Sequence, residues 1–119
     1  MKFEIKDYQT LQTSLADFCR FLADLGVSKD GVFDCRLVAT ELLGNVLRHA
    51  RATASMHAQL QGDVVELSIL STNDYVPPKT SACSDVYAEH GRGLYLVDSV
   101  CIERTTTKDG ALLVKIKIR

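Results

Sequence analysis

The sequence predicts an α+β fold, a two-layer sandwich in which helices cover one face of a largely antiparallel sheet. An alternating segment near the N-terminus is typical of a strand, and two segments with apolar residues at helical spacing follow it. Farther along, two pairs of short apolar segments each flank a turn made of Gly and Asp, which predicts two hairpins. No linker, repeat or low-complexity tract divides the 119 residues, so we expect one domain over residues 1–119.

The N-terminal half holds the first strand and both long helices. Residues 2–6 (KFEIK) alternate as a strand does. A first helix is predicted where apolar residues recur at helical spacing, with Gly26 as its stop, and Ser28 is the candidate N-cap of a second helix that continues to about Ala50. The residues that define the first helix are Leu11, Leu15, Phe18, Leu22 and Leu25.

The C-terminal half is predicted to hold the hairpins, a long loop and a third helix. Residues 55–61 and 64–70 flank Gly62-Asp63, and residues 101–107 and 111–118 flank the turn at 108–110. Between the hairpins, residues 71–90 are polar and hold both prolines, and a third helix follows over 94–100. Loops of this length in compact domains are often functional.

Composition excludes several classes of protein. Apolar residues make up 46% of the chain and charged residues 24%, as in a globular protein. The net charge of −1 does not indicate binding to nucleic acid or to a charged membrane surface. No apolar run approaches a membrane span, and the N-terminus lacks a signal peptide's apolar core. The cysteines form no CxxC pair, which is typical of free thiols in a reducing cytoplasm. They are Cys19, Cys35, Cys83 and Cys101.

The second helix carries the candidate chemistry. Glu41, Asn45 and His49 are each four residues apart and form a stripe along the edge of the predicted core. A carboxylate can act as a general base, and an Asn carbonyl oxygen suits Mg²⁺. The alternative is a solvated helix edge, and the neighbouring Arg48 and Arg51 are expected to face water.

Two glycines before the third helix add a possible phosphate site. Gly91 and Gly93 let the backbone approach a ligand closely, and free N–H groups at a helix N-terminus attract anions. The side chain of Arg92 would add a positive charge to this anion site. A plain turn before a helix is the alternative. Because the two glycines follow a long loop, we interpret the loop as a lid that covers a phosphate bound at the glycines.

These two segments together resemble a known family. ELLGNVLRHA (residues 41–50) is similar to the N-box, and HGRGLYLV (residues 90–97) to the second glycine box, of the gyrase, histidine-kinase and mismatch-repair ATPase superfamily. The small anti-sigma-factor serine kinases are the branch that the chain resembles most, from about Ser14 to the C-terminus. The resemblance implies a histidine-kinase-like ATPase fold with a mixed, mostly antiparallel sheet, and ATP with Mg²⁺ as cofactors.

Residue roles follow from the resemblance, position by position. It implies Glu41 as general base and Asn45 as the ligand of Mg²⁺. The remaining cofactor-binding residues would be His49, Gly91, Arg92, Gly93 and Leu94, and the segment from about Thr72 to His90 would be the ATP lid.

The adenine side departs from the family pattern. Where the first glycine box would have Asp-x-Gly-x-Gly, the chain reads LSTNDYVPP, and aligning its Tyr and prolines places Leu70 at the Asp and Thr72 and Asp74 at the glycines. Ala111 stands where the family often has a Thr that helps to fix adenine. Leucine cannot accept a hydrogen bond from the adenine amino group, so weak ATP binding with little preference over GTP is expected.

Three functions remain open from the sequence. The first is a regulatory ATP-binding domain in transcription control, a possible serine/threonine-protein kinase of the anti-sigma-factor type with weak ATP binding. The second is a non-catalytic partner-switching module that has lost nucleotide binding, and the third is a generic interaction domain. The expected partner is a small regulatory protein, of the sigma-factor or anti-sigma-antagonist type, or a second copy of the chain, with no direct nucleic acid and no membrane.

Overall fold

Two long helices and five strands make up the described part of the chain. The computed structural model describes residues 1–50, 53–71, 97–106 and 111–118, and for residues 49 and 50 the backbone only. Residues 97–100 are helical. The other elements are β1 (Lys2–Ile5), α1 (Tyr8–Asp24), α2 (Lys29–Asn45), a π-helix (Val46–Ala50) that continues α2, β2 (Ala54–Gln61), β3 (Val64–Ser71), β4 (Cys101–Thr106) and β5 (Leu112–Lys117).

The five strands form one sheet in the order β1-β2-β3-β5-β4. Each of the four pairings is antiparallel, so the described strands contain no parallel pair of the mixed sheet that was expected. The first predicted hairpin is confirmed, since Gln61 pairs with Val64 across a turn in which Gly62 has φ +61°, a conformation that favours glycine. Residues 108–110 of the second predicted turn lie outside the described residues.

One face of the sheet is covered by the helices, as predicted for a two-layer α+β sandwich. Alternate side chains of β3 (Val65, Leu67 and Ile69) are buried together with the apolar stripes of α1 and α2, which follows from the two-residue period of a strand. The largest fully buried side chains include Phe18 and Leu22 of α1. Among the described residues, no helix combines the length and the apolar character needed to cross a membrane.

The start of α1 is fixed by reciprocal capping. The Asp7 side chain accepts a hydrogen bond from the Thr10 backbone N–H at 2.7 Å, and the Thr10 hydroxyl oxygen accepts one from the Asp7 backbone N–H at 3.0 Å. The helix ends just before Gly26, whose φ is +88°. Asp is among the residues favoured at an N-cap.

The start of α2 confirms the predicted cap and lies close to the sheet. The Ser28 hydroxyl accepts a hydrogen bond from the Gly31 N–H at 3.1 Å. A Cβ added to Gly31 would lie 2.8 Å from Val27 Cγ1 and 3.2 Å from Ile118 Cβ, so glycine permits this close approach. This contact holds α2 over β5 at the end opposite to Glu41 and Asn45.

Candidate functional site

The end of α2 places two predicted site residues at different depths. Asn45 is 1% exposed and is the one polar side chain that is buried in the described part of the chain, whereas Glu41, one turn earlier, is half-buried. Their spacing of four residues puts them on one side of the helix, as predicted. Asn45 therefore lies deeper than the edge position that the sequence indicated.

Asn45 has one satisfied and one unsatisfied polar atom. Its Oδ1 accepts a hydrogen bond from Arg48 Nη2 at 2.8 Å, while its Nδ2 is buried and has no hydrogen-bond partner among the described residues. Because a guanidinium only donates, the amide oxygen must face Arg48, which fixes the orientation of the amide. An unpaired buried amide donor costs about 1–3 kcal/mol, so Asn45 lowers stability at this place.

The helix changes its geometry directly after Asn45. Val46–Ala50 form a π-helix, which is rare and is found frequently at functional sites. The backbone of His49 belongs to this segment, but the His49 side chain lies outside the described residues. The helix thus continues to Ala50 as predicted, with a wider last turn than an α-helix would have.

Glu41 lines a small cavity between α1 and α2. Its volume is about 180 Å³. The cavity combines an aromatic ring, an amide, a carboxylate and a guanidinium. Its lining residues include Tyr8, Leu11 and Gln12 of α1, Thr40 and Glu41 of α2, and Arg48 of the π-helix.

Arg48 is the site residue that the sequence reasoning missed. It is exposed, as expected, but its guanidinium also binds Asn45 and lines the same cavity as Glu41. None of the ion pairs among the described residues joins Arg48 to Glu41, so its charge is not neutralised by this carboxylate. The three-residue spacing of Asn45 and Arg48 on one helix was the signal available in the sequence.

A guanidinium lies beside the oxygen that the resemblance assigns to Mg²⁺. Mg²⁺ binds oxygen at about 2.1 Å, so an ion on Asn45 Oδ1 would lie within about 5 Å of Arg48 Nη2, which is 2.8 Å from the same oxygen. A dication and a guanidinium at that distance repel each other. In the part of the chain that the structure describes, no group of three or more His, Cys, Asp or Glu residues could hold a metal ion, and Glu41 is the carboxylate that lines the same cavity as Arg48.

The end of β3 places Leu70 and Ser71 on opposite faces of the sheet. Side chains alternate between the two faces along a strand, and Ile69 is buried on the face that the helices cover. Leu70, the next residue, therefore lies on the opposite face and is 47% exposed. Ser71, which pairs with the buried Ala54, is on the helix side. For a ligand bound on the helix side, Ser71 and not Leu70 holds the position assigned to the adenine acceptor. The Ser71 side chain is a hydroxyl and not the carboxylate that the family has at this position.

Several predicted site residues cannot be placed. Residues 72–96 and 107–110 lie outside the described residues, and with them the predicted lid, the turn at 108–110 and the second glycine box. Ala111, at the start of β5, is buried at 9% exposure and its methyl group offers no hydrogen bond to a base. The box residues concerned are Gly91, Arg92, Gly93 and Leu94.

The described cysteines are free thiols, as predicted, and are not activated nucleophiles. Burial raises the pKa of the Cys35 thiol to about 12, and that of Cys101 to about 12. Both therefore stay protonated near neutral pH. Neither contributes a nucleophile or a metal ligand to the helix end.

No protein-family model matches the chain, and no curated protein matches it.

Proposed function

We propose that this chain is a regulatory domain that binds ATP weakly, of the anti-sigma-factor and serine-protein-kinase type, on a histidine-kinase-like ATPase fold. The observation that supports the proposal is Asn45, a 1% exposed amide whose Nδ2 lacks a partner in the part of the chain that the structure describes and whose Oδ1 accepts a hydrogen bond from Arg48. Buried polar groups are normally hydrogen-bonded, and exceptions call for an explanation such as a ligand. A phosphate oxygen is an acceptor that would pair with Nδ2.

Weak recognition of adenine is the second part of this proposal. Ser71 and Ala111 stand on the side where a carboxylate and a hydroxyl would otherwise contact the base. Each lost hydrogen bond to a buried polar edge costs about 1–3 kcal/mol. Two such losses raise a micromolar dissociation constant to about millimolar.

Glu41 is the catalytic base if the domain transfers phosphate. Its half-buried carboxylate would accept the proton of a serine hydroxyl while that oxygen bonds the γ-phosphoryl group and ADP leaves. Glu41→Gln would then keep ATP binding and lose transfer to a partner protein. A measurement with radiolabelled γ-phosphate and extracts of the native cell separates these two effects.

Isothermal titration tests the binding function directly. We expect ATP to bind the wild-type chain with a dissociation constant between about 100 μM and 1 mM, with GTP within about fivefold of it. Asn45→Ala should abolish the signal, whereas Gln61→Ala, which removes an exposed amide from β2, should leave it unchanged. Micromolar ATP affinity with rejection of GTP would contradict the weak adenine site.

A second candidate is a partner-switching module without nucleotide. Phe33 is 64% exposed and Leu25 47%, both close in the chain to the turn between α1 and α2, and together they would supply the apolar contact surface of such a module. The partner would be a small regulatory protein or a second copy of the chain. Absence of any nucleotide signal, together with a dimer that Phe33→Glu dissociates in analytical ultracentrifugation, would favour this function.

A further inference from the structure

Gly44, which lines the cavity between α1 and α2, is not required there by packing. A Cβ added to Gly44 would meet no atom within 4 Å, whereas a Cβ on Gly31, the other glycine of α2, would lie 2.8 Å from Val27 Cγ1. Positive φ angles occur at Gly26 and Gly62 and not at Gly44. A glycine inside a helix is less stable than an alanine, so neither space nor backbone conformation explains the glycine at this position.

Gly44 instead keeps the cavity open between a carboxylate and a guanidinium. It follows Glu41 by three residues and precedes Arg48 by four, so the three residues share one side of the helix and line the same cavity. Neither Glu41 nor Gln12, which lines the cavity from α1, has a side-chain hydrogen bond or an ion pair within the described residues. Arg48 uses one N–H group on Asn45, and its other donors remain for a ligand.

The distance between the two charged residues limits the ligand that can contact both. Seven residues of helix, at about 1.5 Å each, separate Glu41 from Arg48 by about 10 Å. An extended peptide in the polyproline II conformation rises about 3.1 Å per residue and has every third side chain on the same side, so residues three apart are about 9 Å apart. A hydroxyl donor complements Glu41, and a carboxylate complements Arg48.

We propose that the cavity between α1 and α2 binds an extended segment of the partner protein in which an acceptor serine at Glu41 is three residues from an aspartate or glutamate at Arg48. The inference rests on the proposed function, because it names the segment on which that kinase site would act. Gly44 leaves room for the segment between the two side chains. The guanidinium fork of Arg48 matches a carboxylate in geometry as well as in charge.

Nuclear magnetic resonance titration of the isotope-labelled full chain with synthetic peptides, without nucleotide, tests the inference. Each probe is a polyglycine octapeptide with one serine and, three residues before or after it, one aspartate; matched probes carry asparagine instead. One of the two aspartate peptides should shift the Gly44 amide signal saturably, and the order of its two residues gives the direction of the segment. The matching asparagine peptide should bind about fivefold more weakly, because it lacks the charge that Arg48 recognises.

Two variants separate a role in binding from a role in the fold. Gly44→Ala places a methyl group in the cavity, so it should abolish peptide binding while raising the melting temperature by about 2–5 °C. Arg48→Glu should reverse the preference, so that a peptide with lysine in place of aspartate binds more tightly than the aspartate peptide. Arg36→Glu makes the same charge change at an exposed arginine of α2 outside the cavity, and this matched control should bind as wild type.

The outcomes distinguish this inference from the function on which it rests when ATP binding is measured on the same protein by calorimetry. Equal binding of aspartate and asparagine peptides, no binding of either, or a Gly44→Ala variant that binds like the wild type would overturn the inference, and ATP binding would then keep the proposed function. Selective binding of an aspartate peptide without any ATP binding would support the docking site and overturn the kinase function.

Discussion

The helices α1 and α2 have the same length of 17 residues but are built differently at their ends. In α1, the capping box at Asp7 and Thr10, the buried apolar stripe and the stop before Gly26 all favour the same structure. The end of α2 instead buries Asn45 with an unpaired donor and passes into a π-helix. Conflicts between local preference and structure concentrate at functional sites in proteins, which is why the end of α2 is the better candidate for ligand binding.

The largest effect on stability is expected in α1. Phe18 is fully buried and its ring contacts Phe3 of β1 edge-on, with 5.9 Å between the ring centroids. Phe18→Ala should lower the free energy of unfolding by about 3–5 kcal/mol, because it leaves a cavity in the core. Urea unfolding followed by circular dichroism measures this, and a loss under about 1 kcal/mol would show that α1 does not depend on its packing.

At the end of α2 the expected sign is reversed. Asn45→Leu removes a buried unpaired donor, and Arg48 is exposed enough to return to water. The free energy of unfolding should therefore stay unchanged or rise by about 1–3 kcal/mol, with a melting temperature up to about 10 °C higher. A clear loss of stability would mean that Asn45 is a structural residue and would remove the contrast between the two helices.

The two residues at the end of β3 offer a matched pair. Ser71 is on the helix side of the sheet and Leu70 on the opposite side. Ser71→Asp should tighten ATP about tenfold, or about 1.4 kcal/mol, over GTP, whereas Leu70→Asp should change neither. Equal effects of the two variants in calorimetric titrations would show that the base does not bind on the helix side.

The smallest effect concerns the cap of α1. The hydrogen bond from the Thr10 backbone N–H lowers the pKa of Asp7 below its ordinary value of 3.8. The stability that this carboxylate contributes is present above pH 3.8 and is lost as the pH falls through the lower folded-state pKa. Melting temperatures of wild type and Asp7→Asn, which keeps a capping oxygen without charge, should differ at pH 7 and converge in acid. A constant difference across this range would show that the charge of Asp7 is not involved.

The sequence predicted the parts of the fold that depend on local pattern. The period of Leu11, Leu15 and Phe18 predicted α1, Ser28 predicted the start of α2, and Gly62 predicted the first hairpin, because each is a short-range steric or hydrogen-bonding preference. It also predicted that Glu41 and Asn45 share one side of a helix. These features need no knowledge of tertiary packing.

What the sequence did not predict depends on three-dimensional packing. The burial of Asn45 and the hydrogen bond from Arg48 depend on how α2 lies on the sheet, and periodicity alone placed Arg48 in water. The alignment that assigned Leu70 used residues of the following loop and did not use the alternation that Val65, Leu67 and Ile69 fix, which puts Leu70 on the face away from the helices. The strand phase was present in the sequence and would have selected Ser71.

The most direct test of the account compares the thermal shift caused by ATP in wild type and in Asn45→Leu. At an ATP concentration tenfold above its dissociation constant, a ligand that binds only the folded state adds about 1.4 kcal/mol of stability. The account predicts a higher melting temperature of wild type with ATP and no shift for Asn45→Leu, although that variant is at least as stable without ligand. An equal shift in both proteins would contradict the claim that the end of α2 is built around a ligand.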